Sequence, residues 1–272
     1  MKTAMKPRHN SHRSGKRAVQ GFTILEMAVV LVIVGVILGA VMIGRDAQRN
    51  AEYLRIRQTF VNQWAVAYNS YVQRTGAPLG DNMQAPRLMV NGAKIAMADI
   101  NAAAGDLTGL TPPPAICERL RGPDMGRAHD ATVSLRALML QAGIELPQGR
   151  GVGMEDRYAY LDTNGNPQEL QVCFQWNPPG TNSGTGNVMV ITGLTPDLAR
   201  SLAAAIKGNS DSTSGSFRQL GAAVGAAGNG NGNGLPWVGN NTNKIGANGG
   251  AAGGGDRELQ VATVVAHYKM NQ

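Results

Sequence analysis

Cysteine and histidine are scarce. Only Cys117, Cys173, His9, His12, His129 and His267 occur in 272 residues, too few for a multi-ligand His/Cys zinc site. Charged residues make up 16%, against roughly 25% in ordinary soluble domains. No acid occurs in residues 1–21, which hold Lys2, Lys6, Arg8, Arg13, Lys16 and Arg17. The formal net charge of +7 therefore belongs to the N-terminal tail, since the rest of the chain carries 19 basic and 18 acidic residues. That balance supplies no basic stripe for phosphate contacts, so no nucleic-acid partner is expected. A P-loop, a dinucleotide fingerprint, Gly-x-Ser-x-Gly and His-Glu-x-x-His are all missing. Neither an enzyme nor a bound cofactor is expected. No Pro lies between Gly21 and Pro78, so one helix can run through that stretch unbroken.

The basic tail is followed by an apolar run. Residues 27–43 are 17 in number and uncharged; extended back to Phe22 the run has 22 residues and one acid, Glu26. At ~1.5 Å per residue it covers a ~30 Å hydrocarbon core. The positive tail holds its own end in the cytoplasm, so the C-terminal bulk is exported. An ordinary cleaved signal needs small residues at the end of the apolar stretch. The best triplet, Leu38-Gly39-Ala40, opens with a large Leu. A plain anchor leaves Glu26 unexplained, because a carboxylate there costs about 2.5–3.5 kcal/mol on insertion scales. It requires a cationic partner.

The stretch Gly21-Phe22-Thr23-Ile24-Leu25-Glu26 resembles the processing site of type IV prepilins and type II secretion pseudopilins. The resemblance implies cleavage between Gly21 and Phe22 by a prepilin peptidase and N-methylation of Phe22. It also implies assembly through Glu26, paired with the terminal amine of a neighbouring subunit. The electrostatics agree: an ammonium at Phe22 and a carboxylate at Glu26 neutralise each other in a low-dielectric bundle. The expected partners are other pilin subunits through the N-terminal helix, the peptidase, the pilus assembly platform, and the inner membrane before assembly. The expected location is a single-pass inner-membrane state with a periplasmic head, then an extracellular filament. The leader of 21 residues is long, as in one pilin subclass, whereas Phe at the cut is the habit of the other.

After Arg45 the pattern turns amphipathic. Leu54, Val61, Trp64, Tyr68 and Tyr71 recur at spacings of 7, 3, 4 and 3, a helical period. Gly76, Pro78 and Gly80 stop it. This gives a leader over 1–21 and a long helix over 22–76, with a membrane or filament-core half (22–44) and an amphipathic half (45–76). A head follows over 77–272. The passage Tyr71-Val-Gln-Arg-Thr-Gly-Ala-Pro-Leu-Gly-Asp81 resembles the helix exit of some minor pilins. Short helices are expected over 94–104 and 133–142. Two strand-like runs flank Asn164-Gly165, a hairpin signal. A third strand covers 187–192, and Thr195-Pro196 starts a helix that ends at Gly208. Residues 208–256 hold 15 Gly and 8 Asn and read as a low-complexity insertion. Within it, Leu235-Pro-Trp-Val238 is a patch able to dock back. Residues 258–270 read as a final strand. The fold class is α+β: a long membrane-spanning N-terminal helix and a head with a small antiparallel sheet.

Cys117 and Cys173 both lie on the exported side, where disulfides persist. Their expected bridge is worth roughly 4 kcal/mol by loop entropy; two buried thiols are the alternative. Asp162, Asn164 and Asn166 alternate like the opening of a calcium loop. The later bidentate acid is missing, and Asp and Asn also favour tight turns, so this is a weak metal candidate. Gly35 and Gly39 form a GxxxG, which lets membrane helices approach closely. The size and the insertion point to a minor or specialised filament subunit. Two other readings stand beside it. One is a secretion pseudopilin. The other is a membrane-anchored envelope protein for binding, adhesion or DNA uptake that borrows the pilin exit route.

Overall fold

The computed structural model describes residues 23–103, 105–222, 235, 237 and 262–270. The chain forms two compact units, residues 1–50 and 51–272. In the first, helix α1 (Ile24–Ile56) begins and runs as far as Asn50. Its β-branched Val and Ile have only middling helix propensity. In hydrocarbon, however, a helix satisfies every backbone donor and acceptor within the segment. From Ile24 to Ile43 the large apolar side chains are between 45% and 91% exposed. α1 and the helix after it form one stretch, Ile24–Thr75, long and apolar enough to cross a membrane. Cβ atoms added at Gly35 or Gly39 meet nothing within 4 Å, so no contact among the described residues requires glycine there.

The second unit holds the rest of α1, a π-helical turn (Arg57–Val61) and α2 (Asn62–Thr75). Tyr53, Ile56, Phe60, Val61, Trp64, Tyr68 and Tyr71 are buried. Leu54 is not: it is 49% exposed. An uninterrupted α-period places Leu54 on one stripe with Val61, Trp64 and Tyr68. The π turn adds a residue and shifts the later positions by about 100° around the axis. Tyr53 and Ile56 therefore take the core side. Gly76, in the left-handed region at φ 75°, caps α2 and donates to the Val72 carbonyl at 2.8 Å.

Among the described residues five strands form one antiparallel sheet: β1 (Arg157–Leu161), β2 (Pro167–Asn177), β3 (Gly186–Leu194), β4 (Phe217–Gln219) and β5 (Val264–Lys269). Their order across the sheet is β1-β2-β3-β5-β4. Alternation along the strands makes two buried faces. Val172, Phe174, Met189 and Ile191 face the helix. Phe174 stacks on Tyr68 at 5.0 Å, and Phe60 meets Tyr158 at 5.4 Å. Each such burial is worth ~1.5–3 kcal/mol, so these rings carry much of the head's stability. Cys173, Val188, Val190 and Val265 form a second core on the opposite face with Ala115, Cys117 and Met125. Ile116 exchanges two backbone hydrogen bonds with Phe174, both 2.8 Å. This covers β2 beyond Gln171, where its pairing with β1 stops.

Helices α3 (Met97–Ala102) and α4 (Leu135–Gln141) are shorter than their sequence patterns. α5 (Pro196–Lys207) starts at the Thr195 cap and ends at Gly208, φ 83°. The final strand begins at Val264 rather than near 258; residues 258–261 lie outside the described residues. Leu235 and Trp237 do pack back. The Leu235 carbonyl accepts from Ser212 N–H at 2.7 Å, and Trp237 lies 5.5 Å from Phe217.

The passage from β3 to α5 hinges on Gly193. Its φ is 76°, and a Cβ would sit 2.0 Å from the Glu169 carbonyl oxygen. Tyr160 Oη locks the corner, donating to the Gly193 carbonyl at 2.8 Å and accepting from Thr195 N–H at 2.9 Å. Gly193→Ala meets both the backbone clash and the unfavourable φ. It should cost about 2 kcal/mol or more, read as a lower denaturant midpoint at unchanged slope. An unchanged midpoint would show that the corner relaxes freely.

Candidate functional site

The first turn of α1 holds a reciprocal cap. Thr23 N–H and Oγ1 donate to Glu26 Oε2 at 2.8 and 3.1 Å, while Glu26 N–H donates to Thr23 Oγ1 at 3.2 Å. This is a capping box, which satisfies helix donors that have no partner in the first turn. The carboxylate also sits at the positive end of the helix dipole. The pattern Thr-x-x-Glu was the signal for it, and reading Glu26 only as a misplaced charge overlooks it. A carboxylate hydrogen-bonded in this way is less costly in an apolar stretch. The proposed cleavage bond between Gly21 and Phe22 lies outside the described residues.

The family model of the prokaryotic N-terminal methylation motif matches residues 16–42. That span contains the basic end of the tail, Gly21-Phe22, the capped Glu26 and most of the exposed apolar run. The match supports a prepilin of the type IV pilin and pseudopilin type. Comparison with curated proteins and with solved structures finds no match. The motif implies a structural protein, processed by prepilin peptidase and assembled with other subunits. The apolar helix fits membrane anchoring.

The head brings Cys117 and Cys173 together as a disulfide with Cα atoms 4.5 Å apart. It ties the segment covering β2 to β2 itself. Asp162, Asn164 and Asn166 form the turn between β1 and β2. There Asp162 Oδ1 accepts from the N–H groups of Asn164 and Asn166, both at 2.8 Å, and Oδ2 accepts from Gln168 Nε2 at 3.2 Å. The carboxylate thus closes the turn through its own neighbours. Among the described residues, no group of three or more His, Cys, Asp or Glu is placed to hold a metal ion.

Two buried ionisable groups were not legible in the sequence, because burial depends on which face each strand residue takes. His267 on β5 is buried, with Nδ1 3.0 Å from Asn177 Nδ2, and Arg218 pairs with it on β4. Burial and the nearby Arg127 guanidinium push its pKa down to about 3. Asp156 is pushed up to about 6 by burial, against the opposing effects of its Gln171 hydrogen bond and Arg157. The folded state therefore binds fewer protons at His267 than the unfolded chain, and stability is lost as pH falls from about 6.5 towards 3. Asp156 acts oppositely: the folded state holds its proton longer, and stability is lost as pH rises from about 4 to about 6. His267→Gln should reverse the acid limb, giving a head that gains stability between pH 6.5 and 4. Denaturant midpoints at those two pH values decide it; a variant parallel to wild type would remove His267 from the account.

Proposed function

We propose that this prepilin is a structural subunit of a type IV pilus-like filament, in a minor or specialised position. The observation that carries the reading is the coincidence of the methylation motif with a capped helix whose apolar side chains are exposed. Such a surface is stable only in lipid or against other subunits. Residues 1–21 act as the leader. The chain crosses the inner membrane once, with its head in the periplasm, and is cut between Gly21 and Phe22. Phe22 is methylated, and its ammonium pairs with Glu26 of a neighbour as the assembly platform adds the subunit to an extracellular filament. The oxidised Cys117–Cys173 pair supports a head outside the cytoplasm. The Gly35 and Gly39 positions, unoccupied by contacts in the single chain, suit close helix packing in a filament core.

N-terminal mass spectrometry of envelope protein tests this. The expected mature chain starts at Phe22 with one added methyl group and lacks the six positive charges of the leader. A start near Val41 would mark an ordinary secretory signal and overturn the reading. A processed chain found only with a secretion machinery, never in surface filaments, would assign it to the pseudopilins.

A further inference from the structure

One loop of the head has its backbone pinned and its side chains turned out. Cys117 is held by the disulfide. The Glu118 carboxylate accepts from Ser134 Oγ at 2.6 Å and from Arg136 N–H at 3.0 Å. The Leu120 carbonyl accepts from Gln171 Nε2 at 2.9 Å and Arg157 Nη2 at 3.3 Å. Gly122 fits so closely that a Cβ would lie 2.1 Å from Thr192 Oγ1. Between these anchors Arg119 takes φ 61°, a region unfavourable to a residue with a Cβ. Leu120 is left 72% exposed between two exposed arginines, Arg119 and Arg121. Neither arginine has an ion pair among the described residues. The Arg119 guanidinium lies beside Gly153, next to Val152, which is 93% exposed. Strain kept in a pinned, solvent-facing tip is a mark of a contact surface.

The same head carries the complement. A groove of about 670 Å³ is lined by Ile95, Leu110, Pro112 and Pro113, by Asp99 and Asp106, and by Lys94, whose charge is met by Asp130 at 3.4 Å. Both acids are exposed. Thr108 donates to Asp106 through its hydroxyl at 2.7 Å and its N–H at 3.1 Å, which holds the carboxyl below the usual range and charged. We propose that the Arg119-Leu120-Arg121 tip of one copy docks in the Asp99/Asp106 groove of a second copy. Leu120 enters the apolar floor and the two guanidinium groups meet the two carboxylates, whose geometry suits bidentate pairing. The chemistry favours a protein over the other anionic surfaces. No aromatic ring stands on the tip to stack bases. The groove supplies what a lipid surface lacks, an apolar floor for Leu120 between two carboxylates. Exposed pairs are individually weak, so the contact forms where copies are already held together at high effective concentration. It rests on the filament reading in that respect. Two different patches meeting between copies make a heterologous contact, which can repeat from one copy to the next.

The test uses the full chain in its own envelope, with Leu120→p-benzoylphenylalanine as a photo-crosslinker. The expected product is a dimer whose crosslinked peptide comes from residues 94–114 of another copy. Arg119→Glu with Arg121→Glu should lower its yield by about tenfold, two attractions having become repulsions. Asp99→Arg with Asp106→Arg should do the same alone and restore the yield in combination. All four positions are exposed, and formation of the Cys117–Cys173 bridge checks that each variant folds. Adducts to lipid, to nucleic acid or to a different protein overturn the proposal, as does a dimer insensitive to all four charges. The start of the mature chain is read in the same samples. A chain uncut at Gly21 sinks the filament reading, and the crosslink then stands or falls by itself. A cut chain that forms filaments without the 120-to-94–114 adduct sinks the docking alone.

Discussion

Glu26→Ala should leave the chain inserted in the membrane and cut after Gly21, yet lower its incorporation into filaments by about tenfold or more. Removing one partner of a buried ion pair leaves the other charge unpaired and costs about 3–5 kcal/mol, more than the ~1.4 kcal/mol that a factor of ten represents. The capping box complicates a simple reading of this variant, because Ala removes the helix cap as well as the charge. Loss of a cap costs about 0.5–2 kcal/mol by itself. Glu26→Gln separates the two, since a glutamine carbonyl can still accept from Thr23 N–H and a box tolerates Gln. Thr23→Ala makes the converse change, weakening the box while keeping the charge. If intersubunit pairing governs assembly, Glu26→Gln fails like Glu26→Ala and Thr23→Ala assembles. If capping governs it, the order is reversed. The measurement is the fraction of chain in sheared filaments relative to total membrane protein. Wild-type incorporation of both Glu26 variants would mean that neither effect draws the subunit in. Partial tolerance would suit a subunit at a filament tip, which lacks a neighbour on one side.

Replacing Cys117 and Cys173 together by Ser should cost the head about 4 kcal/mol, the chain-entropy value for their sequence separation of 56 residues. That is a large share of the ~5–15 kcal/mol by which a domain is stable. The damage should begin on the outer face of the sheet. Without the bridge, the Ala115–Cys117 segment is held to β2 by the two Ile116–Phe174 backbone bonds, and Val188, Val190 and Val265 lose part of their cover. Hydrogen exchange at Ile116 and Phe174 should therefore accelerate more than at Tyr68 or Phe60. Equal denaturant midpoints for wild type and the double variant would show that packing alone fixes the segment.

What was legible in the sequence had strong local signals. The long helix was read from an apolar run without Pro. The β1–β2 hairpin was read from Asn164-Gly165, and α5 from Thr195-Pro196 followed by Leu198 and Leu202. The Cys pair followed from the expectation of an exported head with two thiols. What escaped has physical reasons. No residue type announces a π turn, so Leu54 was assigned to a stripe that the extra residue moves away from it. β4 has three residues, too few to show alternation, and is held by its neighbour β5 and by Trp237 on Phe217. The burial of His267 and Asp156 comes from strand registers and loops far apart in the chain. The capping box was visible as Thr-x-x-Glu but was masked by the more conspicuous question of a charge among apolar residues.

The two borders of the sheet limit how copies of this head can join. At one border stands β4, three residues long. At the other, β1 spans five residues and the backbone of Ile116 occupies the continuation of β2. Among the described residues, neither border offers the long run of open N–H and C=O groups that strand donation between molecules uses. Two copies of such a head would meet through side chains and helices, each keeping its own sheet. A contact of that kind would come apart with every head still folded, so separating two copies would need no refolding step.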